Sequence, residues 1–514
     1  MARSIGTTHE LDGRHISLET IADVAIGNAR VAIAPAARER VAAARASVER
    51  QYQLGAIIYG VTTGFGRMAN VAIGRDDTAL LQLNLVRSHA SGTGAPLPEA
   101  QVRAAGVLRA SSLAAGHSGI TPAALDLLCE LLNRGVTPVV PCQGSVGASG
   151  DLAPLAHMTL TLIGEGEATF GGERLPSAEA LRRAGLTPIT LAAKEGLSLV
   201  NGTEVMTGIA ALAVIRAERL IAAADVIGAM SLEAFLATDK VFDPRINALR
   251  PHPGQAQVAD NLRALLEGSE IMLSHRECGR VQDPYSFRCI PVVHGAVRDA
   301  ARYARGVVEI EAISVTDNPL VFAAGDEFLT GGNFHGEPVA LVSDFLTIAT
   351  VELGSISERR LYLLLNGQDR GLPLFLARKP GLESGLMLAQ YTSAALVSES
   401  KGLAHPNSID SIPTSAGQED HVSMGTIAAR NLDTVLDNVE GVLACELLAA
   451  LAATDFRRPL RSGKGTGAVY ERARATIGEL VADRSPAPDI AAARALLRDG
   501  SLVAAARDAG VSVR

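Results

Sequence analysis

The chain has 514 residues, 47% hydrophobic and 20% charged, with a net charge of −8, a balance that describes a globular protein with a large core and excludes a disordered chain. It carries no long basic run, which argues against nucleic acid as its main partner. Its five cysteines are scattered and form no CxxC, which argues against disulfides and structural zinc and fits a reducing cytoplasm.

The opening stretch, MARSIGTTHELDGRHISLET, holds no apolar run of signal-peptide length. Polar, glycine-rich text follows in YGVTTGFGRMAN. Two helices are predicted next, in PLPEAQVRAAGVLRASSLAAG and TPAALDLLCELLNRG. Each opens at proline, carries an acid early and closes at glycine. Then comes GSVGASGDLAPLAH, from Gly144 to His157. Further helices begin near Glu204, Pro291, Glu337 and Ser384. The most apolar of these segments, GIAALAVIRAERLIAAADVIGAM, is broken by Arg216, Glu218, Arg219 and Asp225. Charges at that density suit a buried helix of a soluble protein, not a membrane span.

The clearest helix is EDHVSMGTIAARNLDTVLDNVEGVLACELLAALAAT. Leu432, Val435, Leu436, Val439, Val442, Leu443 and Leu447 recur there at steps of three and four, one apolar stripe. Continuous over about 33 residues, it spans roughly 50 Å. Long, alanine-rich helices with apolar faces predict a mainly α fold built on a long central bundle. The loop-rich part, residues 1–200, is expected to form an N-terminal domain, with the helical part at 201–514. No internal repeat is visible. The unusual chemistry sits in polar loops between helices, a common plan for a site carried on a rigid scaffold.

GSVGASGDLAPLAH admits three readings. A phosphate cradle fits poorly: no lysine follows the glycines, as a P-loop needs, and their spacing is not that of a dinucleotide-binding turn. A tight turn bringing backbone against backbone is the plain alternative. The third is cyclisation of Ala148-Ser149-Gly150. The Gly150 amide nitrogen, unhindered by a Cβ, attacks the Ala148 carbonyl carbon. Loss of two waters then turns Ser149 into an exocyclic methylene. The product is a stronger electrophile than any unmodified side chain. Asp151 stands as a candidate N-cap with Pro154 in the first turn. The following helix would then aim its positive end at the ring, as in an oxyanion site.

GSVGASGDLAPLAH resembles the signature of the aromatic amino acid ammonia-lyases. YGVTTGFG, NLVRSHASGTGAPLP, AAKEGLSLVNGT, VQDPYSFRC, DNPLVF, GGNFHGEPVA, SERR and TSAGQEDHVSM resemble that family's other blocks, in its order, over nearly the whole chain. The resemblance implies the family's mostly helical fold and a homotetramer whose active sites are shared between subunits. It implies elimination of ammonia from an amino acid. The cofactor implied is a 4-methylidene-imidazol-5-one formed from Ala148-Ser149-Gly150, with no metal and no external cofactor.

By the same resemblance, Tyr59 is the base that removes the β-proton, and Tyr285 is the loop tyrosine. Asn201 contacts the electrophile. Arg288 holds the substrate carboxylate, for which a guanidinium fork is suited. Gln282, Asn318 and Phe334 match further pocket positions. Two markers bear on the substrate. Ser88-His89 is the pair of the family's histidine-specific branch, where phenylalanine enzymes typically show Phe-Leu and tyrosine enzymes His-Leu. Glu419 stands where the phenyl-type branches carry Gln, and a carboxylate can pair with an imidazole. Taken as a helix acid, Glu419 would instead favour the N-terminus of the long helix. Together the markers imply conversion of L-histidine to trans-urocanate and ammonia. A tyrosine or phenylalanine ammonia-lyase, or a 2,3-aminomutase, is the alternative within the chemistry; a non-catalytic helical assembly protein is the alternative outside it. Three positions depart from the histidine branch: Glu204 where it reads Gln, Val292 where it reads Gln, and Gly417 where it reads Asn.

Overall fold

The computed structural model describes residues 6–514, which divide into two compact units. The first holds residues up to 215 together with Arg305–Asp344 and Pro406–Arg430; the second holds Arg216–Ala304, Phe345–His405 and Asn431–Arg514.

The predicted helices are present: Glu99–Ala114, Pro122–Arg134, Glu204–Phe235, Ile290–Ala312, Glu337–Leu365, Met387–Leu403 and Gly425–Asp455. Thr121 caps the second of these, its hydroxyl accepting from the Ala124 amide. The long helix departs from expectation at its start. It begins at Gly425, not in the GQED block, because Met424 is held at a φ of 56°, outside helical geometry. Glu419 therefore lies in a loop and is not an acid of the helix terminus.

The first unit also carries four small sheets that helix periodicity did not reveal. Thr8–Leu11 pairs in parallel with Arg30–Ile33, and the Leu18–Ala25 helix makes the crossover such a pair requires. Thr93–Pro96 pairs with Pro141–Gln143, directly ahead of the Ala-Ser-Gly turn. With two to four residues per strand, these ladders clamp loops more than they build a core.

The second unit consists of helices around a buried polar chain. Asp225 accepts from His294 Nδ1 at 2.8 Å, from Arg298 at 2.7 Å and from Asn261 at 2.8 Å. Arg360 lies 3.3 Å from His294 Nε2 and grips Glu446 at 2.6 and 2.9 Å. Burial without partners would be prohibitive for these charges, and every member is paired. One helix, Glu337–Leu365, is long and apolar enough to cross a membrane by length and composition, and 67% of its most apolar window is buried. The segment singled out from the sequence lies instead inside Glu204–Phe235.

Candidate active site

Ala148, Ser149 and Gly150 form a turn between the Pro141–Gln143 strand and the Leu152–Leu162 helix. Gly150 has a φ of 71°, and a Cβ there would stand 2.0 Å from the Gly202 carbonyl oxygen. Only glycine fits both the backbone angle and the space. The Asp151 amide donates to that same oxygen at 2.7 Å and locks the two loops together. Upstream, the Gly147 carbonyl oxygen accepts from the Gly336 amide at 3.1 Å and from Ser423 Oγ at 2.9 Å. The Val146 carbonyl oxygen accepts from the Met424 amide at 2.9 Å. The turn is thus tied on both sides, while Ser149 between the ties remains only half-buried.

Asp151 occupies the N-cap position of the Leu152–Leu162 helix but caps nothing there. Its carboxylate accepts instead from the Met206 amide at 2.8 Å, from Ser145 Oγ at 3.0 Å and from the Thr426 hydroxyl. It therefore ties the turn to the starts of two long helices. Complete burial pushes its carboxyl up to about 6 despite these donors. The helix itself starts beside Gly150, where its free amide groups favour negative charge.

Asn201 ends the Glu195–Val200 helix and donates from Nδ2 to the Ser149 carbonyl oxygen at 2.9 Å. Ser149 Oγ donates to Glu419 Oε1 at 2.8 Å, and Glu419 Oε2 accepts from Thr414 Oγ1 at 2.6 Å. Thr414 and Glu419 also bridge through their backbones across a turn in which Ser415, Ala416 and Gly417 all have positive φ. Glycine at 417, with a φ of 82°, suits that turn, which accounts for one departure from the family pattern. Ser88 and His89 close the Thr78–His89 helix, with Ser88 Oγ 3.1 Å from His89 Nδ1. Burial lowers the His89 pKa, opposed by the nearby Glu419 carboxylate.

Tyr59 is half-buried, and its hydroxyl oxygen accepts the Gly66 amide at 2.9 Å, leaving the O–H free to donate. Its loop is held by Gln82, which donates to the Gly60 carbonyl oxygen at 2.8 Å and accepts from the Leu197 amide at 3.1 Å. Asn318 accepts from the Gly331 amide at 3.0 Å, and its loop is anchored by the fully buried Lys194–Asp317 pair at 2.9 Å. Phe334 is half-buried in the segment that follows. These residues, with Ser88, His89, Asn201 and Glu419, belong to the first unit.

Gln282, Tyr285 and Arg288 belong to the second unit. Gln282 is exposed and Tyr285 is 71% exposed, with the Arg288 guanidinium 4.8 Å from the Tyr285 ring centroid. Their loop is pinned by Asp283, which pairs with Arg370 at 3.0 Å, and by Phe287, stacked on Phe235 at 4.6 Å. Val292 lines a cleft of the same unit beside Tyr303 and Phe345.

Several supporting residues were not identified from the sequence. Arg109 and Glu204 form a buried pair at 2.6 Å, so the departure at Glu204 has a structural partner. Arginines inside the alanine-rich Glu99–Ala114 helix, Arg103 and Arg109, were the available signal. Glu311, whose carboxyl burial also raises, accepts from Thr203. Ser145, Thr414, Ser423 and Thr426 carried no signal, because hydroxyls that grip a backbone or a carboxylate look in sequence like any other serines and threonines. Among the described residues, His335, Glu337 and His421 bring one donor atom each within 4.8 Å of one another. The two imidazoles stack at 5.6 Å with His335 Nε2 toward the His421 carbonyl oxygen.

The family model for aromatic amino acid lyases matches residues 16–475. The histidine ammonia-lyase of Sorangium cellulosum is 53% identical over 506 residues, covering 97% of this chain and 98% of that protein. The crystal structure of histidine ammonia-lyase from Trypanosoma cruzi superposes with a TM-score of 0.91 at 40% identity, over 98% of this chain and 96% of that one. The tyrosine aminomutase of Streptomyces globisporus superposes with a TM-score of 0.93 at 38% identity, over 99% and 100%. With its long helices, its Ala-Ser-Gly turn and a family match over most of its length, the chain belongs to the aromatic amino acid lyase family.

Proposed function

We propose that the protein eliminates ammonia from L-histidine to give trans-urocanate, using a 4-methylidene-imidazol-5-one made from Ala148-Ser149-Gly150. The observation that carries this is the turn itself: Gly150 at a φ of 71°, pressed against Gly202, with the Ser149 carbonyl oxygen on Asn201 Nδ2. The fit to the group is good. Gly150 has no Cβ beside its own nitrogen, and the oxygen that would become the ring carbonyl already has a donor. Once formed, the group supplies the electrophile that makes the amine a leaving group. The β-proton of histidine is not acidic, so such activation is essential.

In this reading Tyr59 takes the β-proton through a hydroxyl whose oxygen is fixed by the Gly66 amide. Asn201 and the start of the Leu152–Leu162 helix hold negative charge at the Ser149 oxygen. Arg288 holds the carboxylate. By the family resemblance, Gln282, Tyr285, Asn318 and Phe334 are further substrate-contacting residues. Glu419, with Ser88 and His89, takes the imidazole. The histidine ammonia-lyases at 50–54% identity favour that substrate. A homotetramer with shared sites suits Tyr285, which stands 71% exposed on the single chain. A cytoplasmic location suits five free cysteines.

The test is to incubate the purified protein separately with histidine, tyrosine and phenylalanine and follow the conjugated acrylate. Urocanate from histidine is expected. Product from tyrosine or phenylalanine alone would overturn the substrate, and a β-amino acid would make the protein an aminomutase.

A further inference from the structure

Three elements that carry site residues meet at one side chain outside the site. Gln82 lies in the Thr78–His89 helix and is completely buried. Its Nε2 donates to the Gly60 carbonyl oxygen at 2.8 Å, and its Oε1 accepts from the Leu197 amide at 3.1 Å. Gly60 follows Tyr59 in the chain, and Leu197 belongs to the Glu195–Val200 helix that ends at Asn201. One backbone partner is an acceptor and the other a donor, so a side-chain amide satisfies both at once. The Tyr59 loop depends on that clasp. Among the described residues, every other hydrogen bond of residues 56–73 closes within residues 51–73, and the Gln82 bond ties the loop to the rest of the chain. Packing tightens the same junction. A Cβ on Gly60 would stand 2.6 Å from Phe65 Cε1 and 2.7 Å from Leu197 Cδ2, and one on Gly196 would stand 2.6 Å from the Gln82 carbonyl oxygen.

We propose that Gln82 is a positioning residue of the elimination: by clasping the Gly60 carbonyl and the Leu197 amide, it fixes the Tyr59 hydroxyl relative to Asn201, and so to the Ser149 carbonyl oxygen that Asn201 holds. This rests on the base and the electrophile proposed above. The Gly66 amide fixes the Tyr59 oxygen only within its own loop, so it does not set where the loop stands. Gln82 does, because its second bond goes to the helix that presents Asn201. Proton removal needs the base within hydrogen-bond reach of the reacting carbon's proton, and a misplacement of about 1 Å costs up to about 10²-fold in rate. Gln82 bonds to two backbone groups and acts on the chemistry through Tyr59 alone.

The test separates positioning from folding and from formation of the electrophile. Full-length wild type, Gln82→Met, Gln82→Asn, Tyr59→Phe and Tyr59→Phe/Gln82→Met are assayed with histidine and with histidine deuterated at Cβ, and the peptide spanning residues 148–150 is weighed. Gln82→Met keeps the length of the side chain and loses both bonds; Gln82→Asn is one methylene shorter and cannot reach both partners. In Gln82→Met, kcat should fall by about 10–100-fold, with KM within about twofold of wild type. The deuterium effect on kcat should be at least as large as in wild type, because removal of the β-proton is the step made slower. The loss of about 36 Da, two waters, at residues 148–150 should stay complete. In the Tyr59→Phe background the same substitution should cost less than about threefold, because the hydroxyl it positions is gone. Gln82→Asn should show the same pattern more weakly, and it carries the test if Gln82→Met does not fold. Wild-type kcat in the folded variants, a smaller deuterium effect, or the full loss repeated in the Tyr59→Phe background would overturn the role of Gln82. So would incomplete mass loss, which would make Gln82 a support of the Ala-Ser-Gly turn. A wild type of unmodified mass, or one inert toward histidine, would instead overturn the reading on which the role rests.

Discussion

The Asn201 amide nitrogen donates to the Ser149 carbonyl oxygen at 2.9 Å, while its own side-chain oxygen is buried without a partner. The residue ends a helix and is 4% exposed, so it holds that donor in place without reorganising. Removing it in Asn201→Ala should lower kcat by about 10²–10³, the usual cost of one preorganised oxyanion donor. Steady-state kinetics with histidine checks this. A change confined to KM would place Asn201 in substrate binding alone.

Tyr59 offers a second test. Its oxygen is fixed by the Gly66 amide and its ring stands edge-on to Phe65 at 6.3 Å. Tyr59→Phe keeps the ring packing and removes the proton acceptor. Turnover should fall by about 10²–10⁴, with the mass loss at residues 148–150 unchanged. A full-length protein that fails to lose that mass would tie Tyr59 to formation of the electrophile instead.

Asp151 makes stability depend on pH. Burial raises its carboxyl from 3.8 to about 6, so the native state keeps a proton that the unfolded chain has released in that window. The stability this contributes is full below about pH 4 and is lost as the pH rises through about 6, by up to about 3 kcal/mol. Asp151→Asn can keep the contacts to Met206 and Thr426 without the charge. Its urea-unfolding free energy relative to wild type should therefore rise between pH 4 and pH 7. A difference constant with pH would show that Asp151 is not strained by ionisation.

Lys194 and Asp317 are both fully buried and 2.9 Å apart. Lys194→Met leaves the Asp317 charge unpaired and should cost about 3–5 kcal/mol. Asp317 also accepts from the Asn318 amide at 2.7 Å, so the substitution should disturb the Asn318 loop and raise KM. Chemical denaturation and kinetics of the same variant read both effects. Restoration of stability in Lys194→Met/Asp317→Leu would confirm that the lone charge is the source of the loss.

Helix positions were legible because their signals are local. Proline and closing glycine bracket Pro122–Arg134, and a repeat of three and four runs through Gly425–Asp455. The small sheets were not legible, because two- to four-residue strands carry no period. The start of the long helix was not legible because Met424, at a positive φ, donates its amide hydrogen bond to the Val146 carbonyl oxygen, 278 positions earlier in the chain, and not to a carbonyl of its own helix.

By itself, the sequence determined the helical scaffold and the chemistry available at residues 148–150, since residue type dictates what can attack, be attacked and leave. Only the tertiary structure decided what each group faces. It turned Asp151 from a helix cap into a knot between loops and gave Glu204 to Arg109. It also set Glu419 on the Ser149 hydroxyl across 270 positions of chain. A hydrogen bond acts over about 3 Å, and its partners are chosen by how the helices pack, which no local pattern encodes.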